Sequence, residues 1–155
     1  MKNSRVKINI YRTLFVLGCL MTSCKEKEVE LSKTQFLCQQ SWVIVTARSQ
    51  TNGGAWYDPI ANLSLCDRDN KLTFTSSNST YVLDEGPTTC GSVPSEVLAT
   101  GTWQFNTDES KILSTRNSVT TSVDILQLDA NVLKTRTQRT TGTNIYVEEI
   151  TYSHP

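Results

Sequence analysis

The stretch Leu98-Ala99-Thr100-Gly101-Thr102-Trp103-Gln104-Phe105-Asn106-Thr107-Asp108 decides the fold class. Together with the preceding Val97, residues Ala99, Gly101, Trp103 and Phe105 fall on one face at period two, and Thr100, Thr102, Gln104 and Asn106 on the other. That alternation describes a strand with one buried and one wet face. Thr107-Asp108-Glu109-Ser110 then supplies turn residues. Gly101 close to Trp103 marks a place where a missing side chain makes room for a large ring against neighbouring backbone.

Working outward, the same pattern recurs along the chain. Residues 42–49, rich in β-branched side chains, read as a strand, and so do 72–77, 80–85, 97–106, 111–116, 119–128, 132–139 and 144–152. The later strands are separated by Asn117-Ser118, Asp129-Ala130-Asn131 and Thr140-Thr141-Gly142-Thr143, connections short enough to require antiparallel hairpins. Only one helix is expected, over 33–40. Ser32-Lys33-Thr34-Gln35 has the form of a capping box, with Leu31 and Phe36 placed for a hydrophobic staple. The predicted fold class is all-β, an antiparallel up-and-down barrel of about eight strands, because closure removes the exposed edges of an open sheet. Such a barrel either fills itself with side chains or encloses one small ligand.

The front of the chain has a different character. Lys2, Arg5, Lys7 and Arg12 precede an apolar run from Leu14 to Met21, too short to span a bilayer, followed by Thr22, Ser23 and Cys24. Met21-Thr22-Ser23-Cys24 resembles the lipobox of bacterial lipoproteins, in which the signal is cut before a cysteine that then carries lipid. Val16-Leu17-Gly18-Cys19 is a second match with a shorter apolar run, and Cys24 is preferred. The expected organisation is a signal peptide over 1–23, a lipidated tether over 24–30 and a barrel domain over 31–155. Loss of residues 1–23 leaves eleven basic against fifteen acidic side chains, a charge of −4. A mildly acidic domain without a basic, aromatic-interleaved patch is not expected to bind nucleic acid.

Cys38, Cys66 and Cys90 remain for an oxidising compartment, and three thiols allow three single pairings. Cys66 with Cys90 is favoured, since both lie at loop edges where a bridge distorts no strand. Cys38, beside Phe36 and Leu37, reads as a buried free thiol. No Cys-x-x-Cys is present. The acidic turn Asp67-Arg68-Asp69-Asn70 fails the EF-hand template, with no glycine in place and Asn78 where a bidentate Glu should stand, so no metal or cofactor is expected.

Catalytic groups are sparse. His154, the only histidine, sits next to the terminal Pro155, a poor place for a general base. Asp84-Glu85 and Glu148-Glu149 are neighbours that point to opposite sides of a strand, and they read as solvated charges. The chain is therefore expected not to be an enzyme.

The lipobox, the helix leading into a Trp-bearing first strand, Cys66 followed by Asp67-Arg68-Asp69-Asn70-Lys71-Leu72-Thr73-Phe74, Cys90, and Gly101-Thr102-Trp103 together resemble the lipocalin-like lipoproteins of Gram-negative bacteria. Gln40-Ser41-Trp42 stands where lipocalins proper carry Gly-x-Trp. The resemblance covers residues 31–152 and implies a lipid-anchored outer-membrane protein of the cell envelope, periplasmic or surface-exposed. It implies a monomer whose partners are the membrane and a small, partly apolar ligand. Candidate ligand-binding residues are Trp42, Trp56, Tyr57, Trp103, Phe105, Arg136 and Tyr146. In the competing reading the barrel is solid and its loops bind or inhibit another protein, as lysozyme-inhibiting barrels do.

Overall fold

The computed structural model describes residues 30–91 and 97–155. The expected signal peptide, Cys24 and its tether up to residue 29 lie outside the described residues, as does the 92–96 part of the loop before the anchor strand.

Eight strands close into one antiparallel barrel: β1 (Trp42–Thr51), β2 (Lys71–Thr75), β3 (Thr80–Asp84), β4 (Val97–Phe105), β5 (Lys111–Arg116), β6 (Val119–Leu128), β7 (Val132–Thr141) and β8 (Asn144–Ser153), with β8 returning to pair with β1. Among the described residues, helices α1 (Lys33–Cys38) and α2 (Leu65–Arg68) accompany the strands. Because successive strands run up and down, α1 and the β2–β3, β4–β5 and β6–β7 turns gather at one end of the barrel. The β1–β2, β3–β4, β5–β6 and β7–β8 connections gather at the other.

The anchor strand β4 behaves as its alternation dictates. Ala99 and Trp103 are buried while Thr100, Thr102 and Gln104 are exposed; Val97 is exposed too, beyond a register shift opposite Leu83 and Asp84. Gly101 pairs with Tyr81, and a Cβ built there would lie 2.7 Å from the Tyr81 ring and closer still to the Thr115 carbonyl. The ring that needs the space is thus that of Tyr81 across the ladder, with Trp103 two residues along. Gly101→Ala is expected to destabilise the barrel by about 2 kcal/mol through overpacking against backbone, read as a lowered urea midpoint at unchanged slope.

The α1 end is a packed floor. The Ser32 hydroxyl accepts the Gln35 amide at 3.2 Å and the Gln35 side chain accepts the Ser32 amide at 2.8 Å, the reciprocal capping box read from sequence. The helix stops at Cys38, short of residue 40, and the Trp42 indole N–H donates to the Leu37 carbonyl at 2.9 Å, satisfying one of its last acceptors. Leu37, Trp42, Phe74, Trp103, Ile112 and Leu133 form the buried cluster, and Trp103 meets Phe74 and Phe105 edge-on at centroid distances of 5.6 and 5.4 Å. His154 is not left fraying at the terminus. Its ring lies 4.1 Å from that of Trp42, its Nδ1 meets the Ser41 carbonyl at 2.9 Å, and its Nε2 meets the Gln39 amide nitrogen at 3.1 Å. Through these contacts the histidine ties the end of β8 to the segment between α1 and β1.

At the other end the strands splay. β1 pairs with β2 only through Trp42↔Leu72 and Val43↔Lys71, then follows β8 to its tip, with a bulge between Ile44 and Thr46. Beyond Val43 the free edge of β1 is met by one bridge, Ser49↔Tyr57, from its own loop. Asn117 (φ 49) and Ser118 (φ 64) make the two-residue β5–β6 turn, whose paired positive φ matches a type I′ hairpin.

Candidate functional site

Above the floor the barrel is hollow. A cavity of about 180 Å³ lies between Leu72, Phe74 and Tyr81 on one wall and Leu133, Ile150 and Tyr152 on the other, with Ile112, Ser114, Val123, Thr135 and Thr137 completing it. The space exists because short Ser114, Thr135 and Thr137 face inward where larger side chains would fill the barrel. A second recess of about 350 Å³ shares Leu72, Tyr81 and Tyr152 and runs past Ile44, Leu83 and Ala99 to Asp67 and Asn70. It therefore reaches the β1–β2 seam, where strand pairing is thinnest. Burial, with the negative charge of Glu148, pushes the Tyr152 hydroxyl up to about 12. The phenol stays neutral at physiological pH and remains able to donate a hydrogen bond.

The interior becomes polar toward the loop end. A recess of about 120 Å³ is bounded by Ser49, Tyr57, Thr137, Arg139, Tyr146 and Glu148, among others, and Thr137 also borders the central cavity. The Ser49 hydroxyl donates to Glu148 at 3.3 Å, and the Arg139 guanidinium lies 5.0 Å from the Tyr146 ring centroid.

Its sequence neighbour Glu149 does the opposite work. On the outer face it pairs with Arg48 and Arg136 across the β1–β8 and β7–β8 ladders. Arg48 Nε and Nη2 lie 2.8 and 2.6 Å from Oε2, Arg136 Nε lies 2.9 Å from Oε1 with its Nη2 closer still, and Lys134 Nζ stands 3.9 Å from Oε2. Glu149 is only 3% exposed beneath these cations. Neither member of the Glu148-Glu149 pair is thus the solvated charge expected from sequence.

Burial by itself would raise the Glu149 pKa, but hydrogen bonds from Arg136 and Arg48 outweigh it, and the carboxyl sits below its ordinary value. A pKa depressed in the folded state contributes stability above the unfolded-state value of about 4.3, and that contribution is lost as pH falls through the folded value. Glu149→Gln is accordingly expected to cost about 2 kcal/mol at pH 7, the scale of hydrogen bonds to a charged group. Urea unfolding at pH 7 and pH 3 should show the gap between wild type and variant closing in acid.

The candidate ligand residues separate into three places. Trp42, Trp103 and Phe105 form the floor beneath the cavity. Tyr57 and Tyr146 line the polar recess. Trp56 and Arg136 lie outside, Trp56 under the Arg48 guanidinium at 4.4 Å and Arg136 held by Glu149. The basic side chain at the mouth is Arg139, three residues along β7 and on the opposite face. Of the residues that line the hollow, Tyr81, Ile112, Ile150 and Tyr152 carry only the ordinary inward half of a strand alternation.

Cys66 and Cys90 form a disulfide and Cys38 is free and half-buried, its thiol pushed up by burial. The acidic turn is a single helical turn, α2, capped by the Ser64 hydroxyl, which accepts the Asp67 amide at 3.2 Å. Cys66, Asp67 and Cys90 come together there, but both sulfurs are committed to the disulfide, leaving one carboxylate and no ligand set.

No protein-family profile matches the chain, and no curated protein sequence does. Among solved structures, bovine odorant-binding protein in complex with a selenium-containing odorant is similar at 10% identity over 84% of this chain and 77% of that one, with a TM-score of 0.45. The bovine lipocalin allergen Bos d 2 is similar at 11% identity over 81% and 76%, with a TM-score of 0.44. A complex of bovine odorant-binding protein with undecanal matches at 10% identity over 84% and 77%, with a TM-score of 0.43. The likeness is one of barrel outline, and the closed eight-stranded barrel stands on its own strand pairing.

Proposed function

We propose that this protein is a non-catalytic, lipid-anchored envelope protein that binds a small, partly apolar ligand inside its barrel. One observation carries the reading: a closed barrel with a sealed floor that nevertheless keeps an unfilled interior, apolar at its centre and polar toward the loops. A barrel that served only as a scaffold would gain dispersion contacts by filling that space. The cavity is smaller than the pockets of roughly 300–1,000 Å³ that take drug-sized molecules, which suits a compact occupant. Ser114→Phe places a ring in the hollow. It should abolish uptake of an apolar fluorescent probe while leaving the circular-dichroism melt cooperative; undiminished uptake would place binding elsewhere.

The lipid anchor rests on the lipobox at Cys24. Cys24→Ala should release the protein from membranes, and retention after that change would refute the anchor. A second reading, contact with another protein, draws on the loop end, where Trp56, Tyr57 and Leu65 stay 38, 56 and 79% exposed around the disulfide. If that surface acts instead of the cavity, Ser114→Phe leaves function intact while Tyr57→Ser with Leu65→Ser removes it.

A further inference from the structure

The polar recess contains an unused charge. Glu148 projects to the inside of β8 while Glu149 projects outside, and the cations of the neighbouring strands, Arg48, Lys134 and Arg136, all go to Glu149. Among the described residues Glu148 makes no ion pair. Its one hydrogen-bond donor is the hydroxyl of Ser49, itself only 8% exposed, at 3.3 Å. Glu148 pairs across the ladder with Thr137, and Thr137 lines both the polar recess and the apolar cavity. Glu148 therefore stands between the apolar interior and the mouth, in the recess that Tyr57 and Tyr146 also line. A half-buried carboxylate without an ion-pair partner, in a recess it shares with two tyrosines, favours a cation: the carboxylate supplies the charge-assisted acceptor, and aromatic rings attract ammonium groups. Arg139 demonstrates the second effect on Tyr146 without reaching Glu148.

We infer that the barrel's ligand is a small hydrophobic amine, its ammonium held by Glu148 and its apolar body lodged between Leu133, Ile150 and Phe74. The inference rests on the cavity being the binding site and specifies the class of molecule it takes. A neutral or acidic ligand in the same pose would leave Glu148 without a cationic partner, and an acidic one would set two carboxylates against each other, both of which cost affinity.

The test is a matched series of probes, hexylamine, hexanol and hexanoate, titrated calorimetrically into residues 25–155, which contain the whole closed barrel. Hexylamine is expected to bind at least tenfold more tightly than hexanol. Glu148→Gln should remove that preference while hexanol binding, which also reports an intact cavity, stays within twofold; Glu148→Asp should keep it. If neither variant folds, the wild-type series decides alone. Hexylamine no tighter than hexanol, a preference for hexanoate, which would transfer the role to Arg139, or an amine preference that survives Glu148→Gln overturns the amine assignment while leaving a binding barrel in place. Failure of all three probes to bind overturns the cavity reading and the amine assignment with it.

Discussion

Trp42→Ala is expected to remove about 4 kcal/mol of folding stability, within the range for deleting a buried tryptophan from a core. Trp42 has no exposed surface and is the largest of the fully buried side chains. Its ring holds three parts of the floor at once: the Leu37 carbonyl through the indole N–H, the buried cluster it packs in, and His154 through a tilted contact between the rings. Truncation leaves a void between a short helix and a barrel end that cannot collapse without moving β1, so little of the loss is recovered by relaxation. Trp42→Phe separates the contributions. It keeps most of the apolar ring and loses the donor to Leu37, and should cost about 1–2 kcal/mol for the unpaired carbonyl and the smaller volume. Urea unfolding followed by circular dichroism reads both variants, and a cost below 1 kcal/mol for Trp42→Ala would mean that the floor does not hold the barrel shut.

The second large effect is at the opposite end. Replacing Cys66 and Cys90 together by serine should cost about 3 kcal/mol, the loop-closure estimate for a cross-link of this span. The bridge joins positions 24 apart in sequence and ties α2 to the loop after β3. β1 and β2 share only two register pairs before they part, so this bridge does part of the work that strand pairing does elsewhere in the barrel. Hydrogen exchange gives the loss a location. Amides of α2 and the start of β2 should lose protection in the double variant, while those of Trp42, Phe74 and Trp103 at the floor keep theirs. Equal loss at both ends would show that the barrel opens as one unit.

Strand count and order were legible because the barrel is built from half-buried strands, each carrying its own period-two signature, and because its hairpins are short. Asn117-Ser118 is the clearest case: the separator read from sequence is the turn itself. The strands run longer than expected where the β7–β8 hairpin is tightest, with Thr140 and Thr141 still paired to Ile145 and Asn144. The helix cap at Ser32 was readable, whereas that at Ser64 was hidden by the apolar residues around it, although Ser64 and Asp67 have a capping spacing.

The site was harder to read for reasons of parity. Arg136 and Arg139 are an odd number of residues apart on one strand and must face opposite sides. The buried Leu133 assigns Arg139 to the inside. In β1 the bulge between Ile44 and Thr46 reverses the alternation, so that Trp42 and Ile44 face inward with Ala47 and Ser49, and Arg48 faces out to Glu149. No local signal marks that bulge, and without it Arg48 would point into the cavity. The hollow itself is a property of summed side-chain volumes around a ring of eight strands, which no single stretch displays.

The most direct test of the binding barrel is native mass spectrometry of residues 25–155 recovered from an oxidising periplasm. The hollow interior predicts a reproducible added mass that denaturation removes and that Ser114→Phe prevents. A clean apo mass that stays clean after incubation with hexylamine and hexanol would contradict it.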